Sequence, residues 1–320
     1  MYNYLNDIFT KRDVIVLKQI KFSFNRIVAF ISALIAVFSA FIHGNGDHYR
    51  KNYIYLDAAY GIHERQVFDM YLPKSADGNT GLILFLHPGG WVAGDKEVYQ
   101  NELEYWSSQG YAAAAMNYRF ISRDDKISMK DEMKDISLAL AKMKKLASRK
   151  GIDLENVLLT GDSAGAHLAL LYGYAMVDEA PIEPVAVVSY CGPTKLWDET
   201  FINHNSFGNF NPDFIADLLS ALTGVDFTAD NIEPALPALK LYSPITHVNE
   251  NTVPTVLAYG VVDDCVPYST GAELDAELTK YGVKHDFVTY PNSGHGLNND
   301  PDCDALARSY FVEYVQKYLP

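Results

Sequence analysis

Residues 156–175 read NVLLTGDSAGAHLALLYGYA. The first five residues form a short aliphatic run, the mark of a buried strand. Residues 164–177 then carry small and apolar residues at helical density. Between them stands Gly161-Asp162-Ser163-Ala164-Gly165, which fits G-x-S-x-G. A serine in this position occupies a sharp, strained turn from strand to helix, so its neighbours must be small. The turn projects the hydroxyl into a cleft, and the following helix aims its positive N-terminal end at developing negative charge. Ser163 is therefore the candidate nucleophile.

Outward from this point, strands and helices alternate. YIYLDA (53–58), QVFDMYLP (66–73), GLILFLH (81–87), AAAAMNY (112–118), VAVVSYC (185–191), TVLAYG (255–260) and HDFVTY (285–290) read as strands. Helical patterning covers 97–109, 128–149, 269–281 and 302–318. The alternation predicts an α/β fold with a mostly parallel sheet covered by helices on both faces. Ligands in such sheets bind beyond the carboxyl ends of the strands. Residues 194–245 break the rhythm and are expected to form a small helical cap insertion over the site. Trp197, Phe201, Phe207, Phe210, Phe214 and Phe227 lie in it, as an apolar pocket or as the insertion's own small core.

Two more strand ends carry chemistry. Asn292-Ser293-Gly294-His295-Gly296 follows the strand at 285–290, and a histidine between glycines reaches a serine without obstruction. His295 is the candidate base, taking the serine proton and returning it to the leaving group. The carboxylate that orients it should lie between serine and histidine in chain order, after a strand. Asp263 and Asp264, in Tyr259-Gly260-Val261-Val262-Asp263-Asp264-Cys265-Val266-Pro267, both meet that condition. Asp162 is expected to point away from the reacting hydroxyl. His167, one helical turn beyond the serine, reads as a packed helix residue, and His204, His247 and His285 lack a site context. A third glycine-rich turn, His87-Pro88-Gly89-Gly90-Trp91, follows the strand at 81–87. Such a turn lets backbone N–H groups approach a substrate oxygen.

These motifs together resemble the hormone-sensitive-lipase-like and bacterial feruloyl-esterase-like branch of the α/β-hydrolases. His87–Trp91 resembles the HGGGW loop of that group. The resemblance implies Gly89, Gly90 and Ala164 as oxyanion-hole donors, while Pro88 departs from the pattern at a position that is not a donor. The acid loop resembles G-x-x-D-x-x-V-P, which selects Asp263. Further matches are Asp69–Pro73, Asn117-Tyr118-Arg119 and Tyr242–Ile245, and the likeness spans about residues 55–318. It implies a carboxylic ester hydrolase working through an acyl-enzyme on short acyl, acetyl or feruloyl-type esters, without a cofactor. The alternatives are a serine peptidase or amidase related to prolyl oligopeptidase, and a catalytically silent binding module.

Residues 27–42, IVAFISALIAVFSAFI, carry no charge and follow Lys18, Lys21 and Arg26. Basic residues before an apolar run predict a secretory signal or signal-anchor over residues 1–45, with the α/β-hydrolase domain, 46–320, exported. Translation from Val16 or Leu17 would give a leader of ordinary length. The run also implies membrane contact; a buried helix is the competing reading, disfavoured because the run is apolar all round. The net charge of −14 argues against nucleic acid as partner, and the resemblance implies a small-molecule or polysaccharide-linked ester as substrate. The three cysteines, Cys191, Cys265 and Cys303, form no disulfide framework and no zinc-type spacing. Cys265 and Cys303 are near enough in sequence to the site loops to meet, as ordinary thiols.

Overall fold

The computed structural model describes residues 52–74, 80–203 and 212–319. The expected leader, with the apolar run at 27–42, lies outside the described residues. Among those described, no helix is long and apolar enough to cross a membrane.

Among the described residues, eight strands form one sheet: β1 (Asn52–Ala59), β2 (Val67–Pro73), β3 (Leu82–Leu86), β4 (Ala112–Met116), β5 (Asn156–Asp162), β6 (Glu183–Tyr190), β7 (Thr255–Gly260) and β8 (His285–Tyr290). Their order is β1-β2-β4-β3-β5-β6-β7-β8. The β1–β2 and β2–β4 pairs are antiparallel, and the remaining pairs are parallel. The helices are α1 (Gln100–Ser108), α2 (Met129–Ser148), α3 (Ala164–Ala175), α4 (Glu199–Asn203), α5 (Pro212–Thr223), α6 (Leu236–Leu241), α7 (Tyr268–Lys280) and α8 (Pro301–Tyr318). This is the α/β-hydrolase fold.

The buried strands show why the sheet needs cover on both sides. Every residue of β3 is buried, yet alternation still divides them. Leu82, Leu84 and Leu86 join the cluster containing Ile136, Leu140 and Met143 of α2. Ile83 and Phe85 join the opposite cluster, with Leu103 and Trp106 of α1 and Phe311 and Tyr314 of α8. A continuous apolar run is what a strand buried on both faces requires. β4 is four alanines and a methionine, all fully buried. Alanine favours helix in isolation, but here the register to β2 and β3 overrides propensity.

Some boundaries differ from the sequence expectation. The helix expected at 97–109 opens with a tight 3₁₀ turn, Lys96–Tyr99, whose start is capped by Asp95 accepting from Glu97 N–H at 3.1 Å. The strand expected to reach residue 118 ends at Met116. Asn117 instead ties the chain to that turn, accepting from Lys96 N–H at 2.7 Å and donating to Asp95 at 2.7 Å. Between β6 and β7, where a helical insertion over 194–245 was expected, the chain makes α4, α5 and α6. The site loops all leave the carboxyl ends of parallel strands: 87–94 after β3, Ser163 after β5, Cys191 after β6, 261–267 after β7 and 291–300 after β8.

Candidate active site

Ser163 stands at φ 53°, ψ −120°, a conformation that costs a non-glycine residue on the order of 1–3 kcal/mol. The surrounding backbone enforces it. Ser163 N–H donates to Tyr190 O of β6 at 2.8 Å, and its carbonyl accepts from His167 N–H at 2.9 Å as α3 begins. Both glycines of the turn face the end of β3. A Cβ would lie 2.4 Å from Leu86 O at Gly161 and 1.9 Å from it at Gly165. A side chain at Gly161 would force β5 away from β3, and one at Gly165 would force α3 away from it.

The third glycine-rich turn is held from behind by a polar network. Arg65, in the β1–β2 connection, donates to Tyr118 O at 3.0 Å and to Gly94 O at 3.1 Å, and lies 3.2 Å from His87 Nε2. Its guanidinium also rests over the Phe120 ring at 3.6 Å. Burial pushes the His87 imidazole down to about 4, so it is neutral at ordinary pH. Because Arg65 can only donate, Nε2 is the acceptor and Nδ1–H donates to Pro88 O at 2.9 Å. Tyr118 stacks on His87 at 4.2 Å and donates to its carbonyl at 2.7 Å. His87 thus holds the loop. Gly89 stands at φ +134°, and a Cβ there would lie 2.1 Å from Ala93 O, so the turn accepts no side chain. Pro88 contributes its carbonyl to this network, and its missing N–H leaves the framework intact.

The acid and base candidates meet. Asp263 Oδ2 accepts from His295 Nδ1 at 2.9 Å, and Oδ1 accepts from Cys265 N–H at 2.7 Å and Val266 N–H at 2.9 Å. The Asp263 side chain is fully buried, and that of His295 is 7% exposed. Burial alone would lower the His295 pKa. The charge and hydrogen bond of Asp263, with help from Asp264 and Asp162, overcome burial and hold it above the ordinary imidazole value. Asp264 is exposed and makes no hydrogen bond to His295 among the described contacts. His295 likewise bonds to Asp263 and not to Ser163; such contacts often tighten only with substrate bound.

A pocket of about 390 Å³, counted with its opening to solvent, brings Ser163, Ala164 and Gly90 together. Cys265 and Val266, whose amides hold Asp263, line it too. Gly89 does not line it. The remaining wall is apolar: Trp91, Pro193, Phe201, Ile215, Leu218 and Leu219. The α5 contribution, Ile215, Leu218 and Leu219, was not foreseen; the i, i+3, i+4 spacing of those residues was the available signal. Of the insertion's aromatics, Phe201 lines the pocket, Phe227 is buried in the core, Trp197 packs against it and Phe214 is 39% exposed. Phe207 and Phe210 lie outside the described residues.

The other candidates fall where the sequence put them. Asp162 turns to Tyr99, whose hydroxyl donates to it, and burial raises its carboxyl to about 6. His167 accepts from Trp91 Nε1 at 3.2 Å and donates from Nε2 to Tyr242 O at 2.8 Å. Burial lowers it to about 4, so it is a neutral packing residue. Cys191 and Cys303 are free thiols, and Cys265 Sγ donates to Asp264 Oδ1 at 3.6 Å. Cys191 Sγ, an Asp263 carboxylate oxygen and a His295 ring nitrogen lie within 4.8 Å of one another, a donor set able to hold a metal ion.

A match to the BD-FAE family covers residues 68–278, about two thirds of the chain. The chain belongs to the BD-FAE family. It is 24% identical to a probable isoprenylcysteine alpha-carbonyl methylesterase of Arabidopsis thaliana, over 76% of this chain and 51% of that relative. It spans about half the length of the curated relatives it matches first. Among solved structures it resembles esterase B from Lactobacillus rhamnosis, with a TM-score of 0.69 at 20% identity over 91% of this chain and 95% of that one. It also resembles a truncated carbohydrate esterase from gut microbiota, with a TM-score of 0.62 at 19% identity over 86% of this chain and all of that one, 100%. These likenesses agree with the α/β-hydrolase fold.

Proposed function

We propose that this BD-FAE member is a carboxylic ester hydrolase that works through an acyl-enzyme on Ser163. The observation that carries the proposal is the buried Asp263–His295 pair, held by a loop whose next residues line the pocket of Ser163. Asp263 fixes the proton of neutral His295 on Nδ1, which leaves Nε2 free to accept a proton. Ser163 Oγ attacks the ester carbonyl as its proton passes to Nε2. The N–H groups of Gly90 and Ala164, with that of Gly89, stabilise the oxyanion, each contributing roughly 3 kcal/mol. His295 then protonates the departing alcohol. Water, deprotonated by His295, releases the acid from the serine ester.

The apolar wall favours an acyl group over a charged substituent. Short acyl, acetyl or feruloyl-type esters are the proposed substrates, and the names of the methylesterase relative and the carbohydrate esterase neighbour support an ester linked to a small molecule or a polysaccharide. Export follows from the basic-then-apolar segment at 18–42, and places the domain outside the membrane; cell fractionation with N-terminal sequencing tests it.

Turnover of p-nitrophenyl acetate, butyrate and octanoate by the parent beside a folded Ser163→Ala variant tests the chemistry. The expected loss in the variant is at least about 10⁴-fold. Equal rates in both would remove Ser163 as nucleophile. Hydrolysis of peptide amides in place of esters would move the proposal to a peptidase, and ligand binding without turnover would move it to a binding module.

A further inference from the structure

Cys191 is the first residue after β6. Its backbone N–H donates to Ala258 O of β7 at 2.9 Å, and it stands at φ 51°, outside the regular strand. Its neighbour Tyr190 accepts the amide of Ser163. The residue therefore sits between the nucleophile turn and the acid loop. Its thiol is 2% exposed and faces the carboxylate of Asp263. None of the steps proposed above uses it.

We propose that Cys191, Asp263 and His295 form a site for a thiophilic divalent cation of the zinc class, and that its occupancy switches the enzyme off. The inference rests on the esterase reading for its consequence, but the binding itself does not. Thiolate, imidazole and carboxylate are all ligands that zinc takes. The three donor atoms lie within 4.8 Å of one another. A tetrahedral zinc, with bonds of about 2.0 Å to N and O and 2.3 Å to S, spaces its ligand atoms roughly 3.2–3.6 Å apart. Asp263 Oδ2 and His295 Nδ1 are already 2.9 Å apart, so Cys191 Sγ makes the principal adjustment. Three parallel strand ends supply the ligands, which gives a rigid cradle; water completes the fourth position.

Binding is chemically incompatible with catalysis. The thiol releases its proton to solvent and the sulfur binds the cation. Zinc also takes the Nδ1 lone pair, so the imidazole proton moves from Nδ1 to Nε2. His295 then presents a donor to Ser163 where the reaction needs an acceptor. Asp263, bound to the cation, no longer orients the ring. The ligands come from positions 191, 263 and 295, far apart in sequence, which is why no spacing motif announced the site.

The test uses the full chain as parent, Cys191→Ser, Cys191→Ala and Ser163→Ala. Each active form is titrated with Zn²⁺ against its own zinc-free esterase rate, with chelation to check reversal. Cd²⁺ is titrated in parallel, read by the ultraviolet absorption of a cadmium–thiolate bond. Inhibition of the parent at micromolar Zn²⁺, and at least about tenfold weaker inhibition of both Cys191 variants, is the expected result. One cadmium–thiolate band per chain should form in the parent and in Ser163→Ala and be missing from Cys191→Ser. Equal zinc sensitivity in parent and Cys191 variants overturns the proposal, as does a band that persists in Cys191→Ser. If Cys191→Ala does not fold, the near-isosteric serine variant decides. A Cys191-dependent band in a chain that hydrolyses no ester leaves the metal site standing and removes the esterase reading instead.

Discussion

His87 follows β3 and His295 follows β8; both rings are buried, and each stands on a loop of the proposed site. Burial pushes His87 down to about 4, and the guanidinium of Arg65 that it faces acts in the same direction. His295 faces Asp263, with Asp264 and Asp162 farther off, and these carboxylates lift it above the usual imidazole value despite burial. Burial is common to both, so the sign of the neighbouring charge separates them. A permanently neutral ring can only hold a shape, as His87 does for the turn carrying Gly89 and Gly90. A ring stabilised when charged can accept a proton and wait, which general-base chemistry requires.

The largest expected effect removes that stabilisation. Asp263→Asn keeps the size but loses the charge, and the amide favours the wrong imidazole tautomer. A fall in kcat of about 10⁴-fold is expected, with KM nearly unchanged, by steady-state kinetics on a p-nitrophenyl ester. A drop of less than about tenfold would return the acid role to Asp264. His295→Ala should fall as far, whereas His87→Phe, which keeps the stack on Tyr118, should lose about tenfold and cost mainly thermal stability.

The contrast between these histidines was partly legible in the sequence. A histidine between two glycines on a strand-end loop announced His295, and chain order confined its partner to Asp263 or Asp264. The fold itself followed from the alternation of strand and helix runs, even at Ala112–Ala115, where register had to overrule propensity. Arg65 was invisible as a loop support. It contacts residues at 87, 94, 118 and 120 from the β1–β2 connection, and no local pattern encodes contacts at that separation. The α5 wall of the pocket escaped for another reason: an apolar stripe looks the same in sequence whether it faces a core or a cleft. The match at Asn117-Tyr118-Arg119 did carry meaning, since each residue has a tie. Asn117 anchors the 3₁₀ turn, Tyr118 supports His87, and Arg119 grips the buried Asp135 carboxylate at 2.8 Å.

A smaller effect is expected on the His87 side. Arg65→Met leaves the carbonyls of Gly94 and Tyr118 without their donor, a destabilisation of about 1–3 kcal/mol by denaturant unfolding. The displaced turn should reduce kcat by about 10–100-fold, with the pH dependence of the rate retained. Arg65→Lys should recover only part of this, because one ammonium cannot reproduce the planar fork. Recovery of full activity by lysine would mean that charge, and not the geometry of three directed bonds, supports the loop.

The finest test concerns the electrostatics of His295 itself. Because its pKa is raised, the neutral form that accepts the serine proton predominates only above that value. Activity, read as kcat/KM for the free enzyme, should therefore fall as pH drops through an apparent pKa above 6.5. Asp264 contributes to this shift through space from an exposed position, so solvent and salt weaken its influence. Asp264→Asn should move the acid limb down, and the displacement should shrink in high salt. Asp263 remains in place in that variant, so the maximal rate on the plateau should hold. A plateau that collapses would mean that Asp264 orients the ring, and the charge contrast between the two histidines would then have a different source.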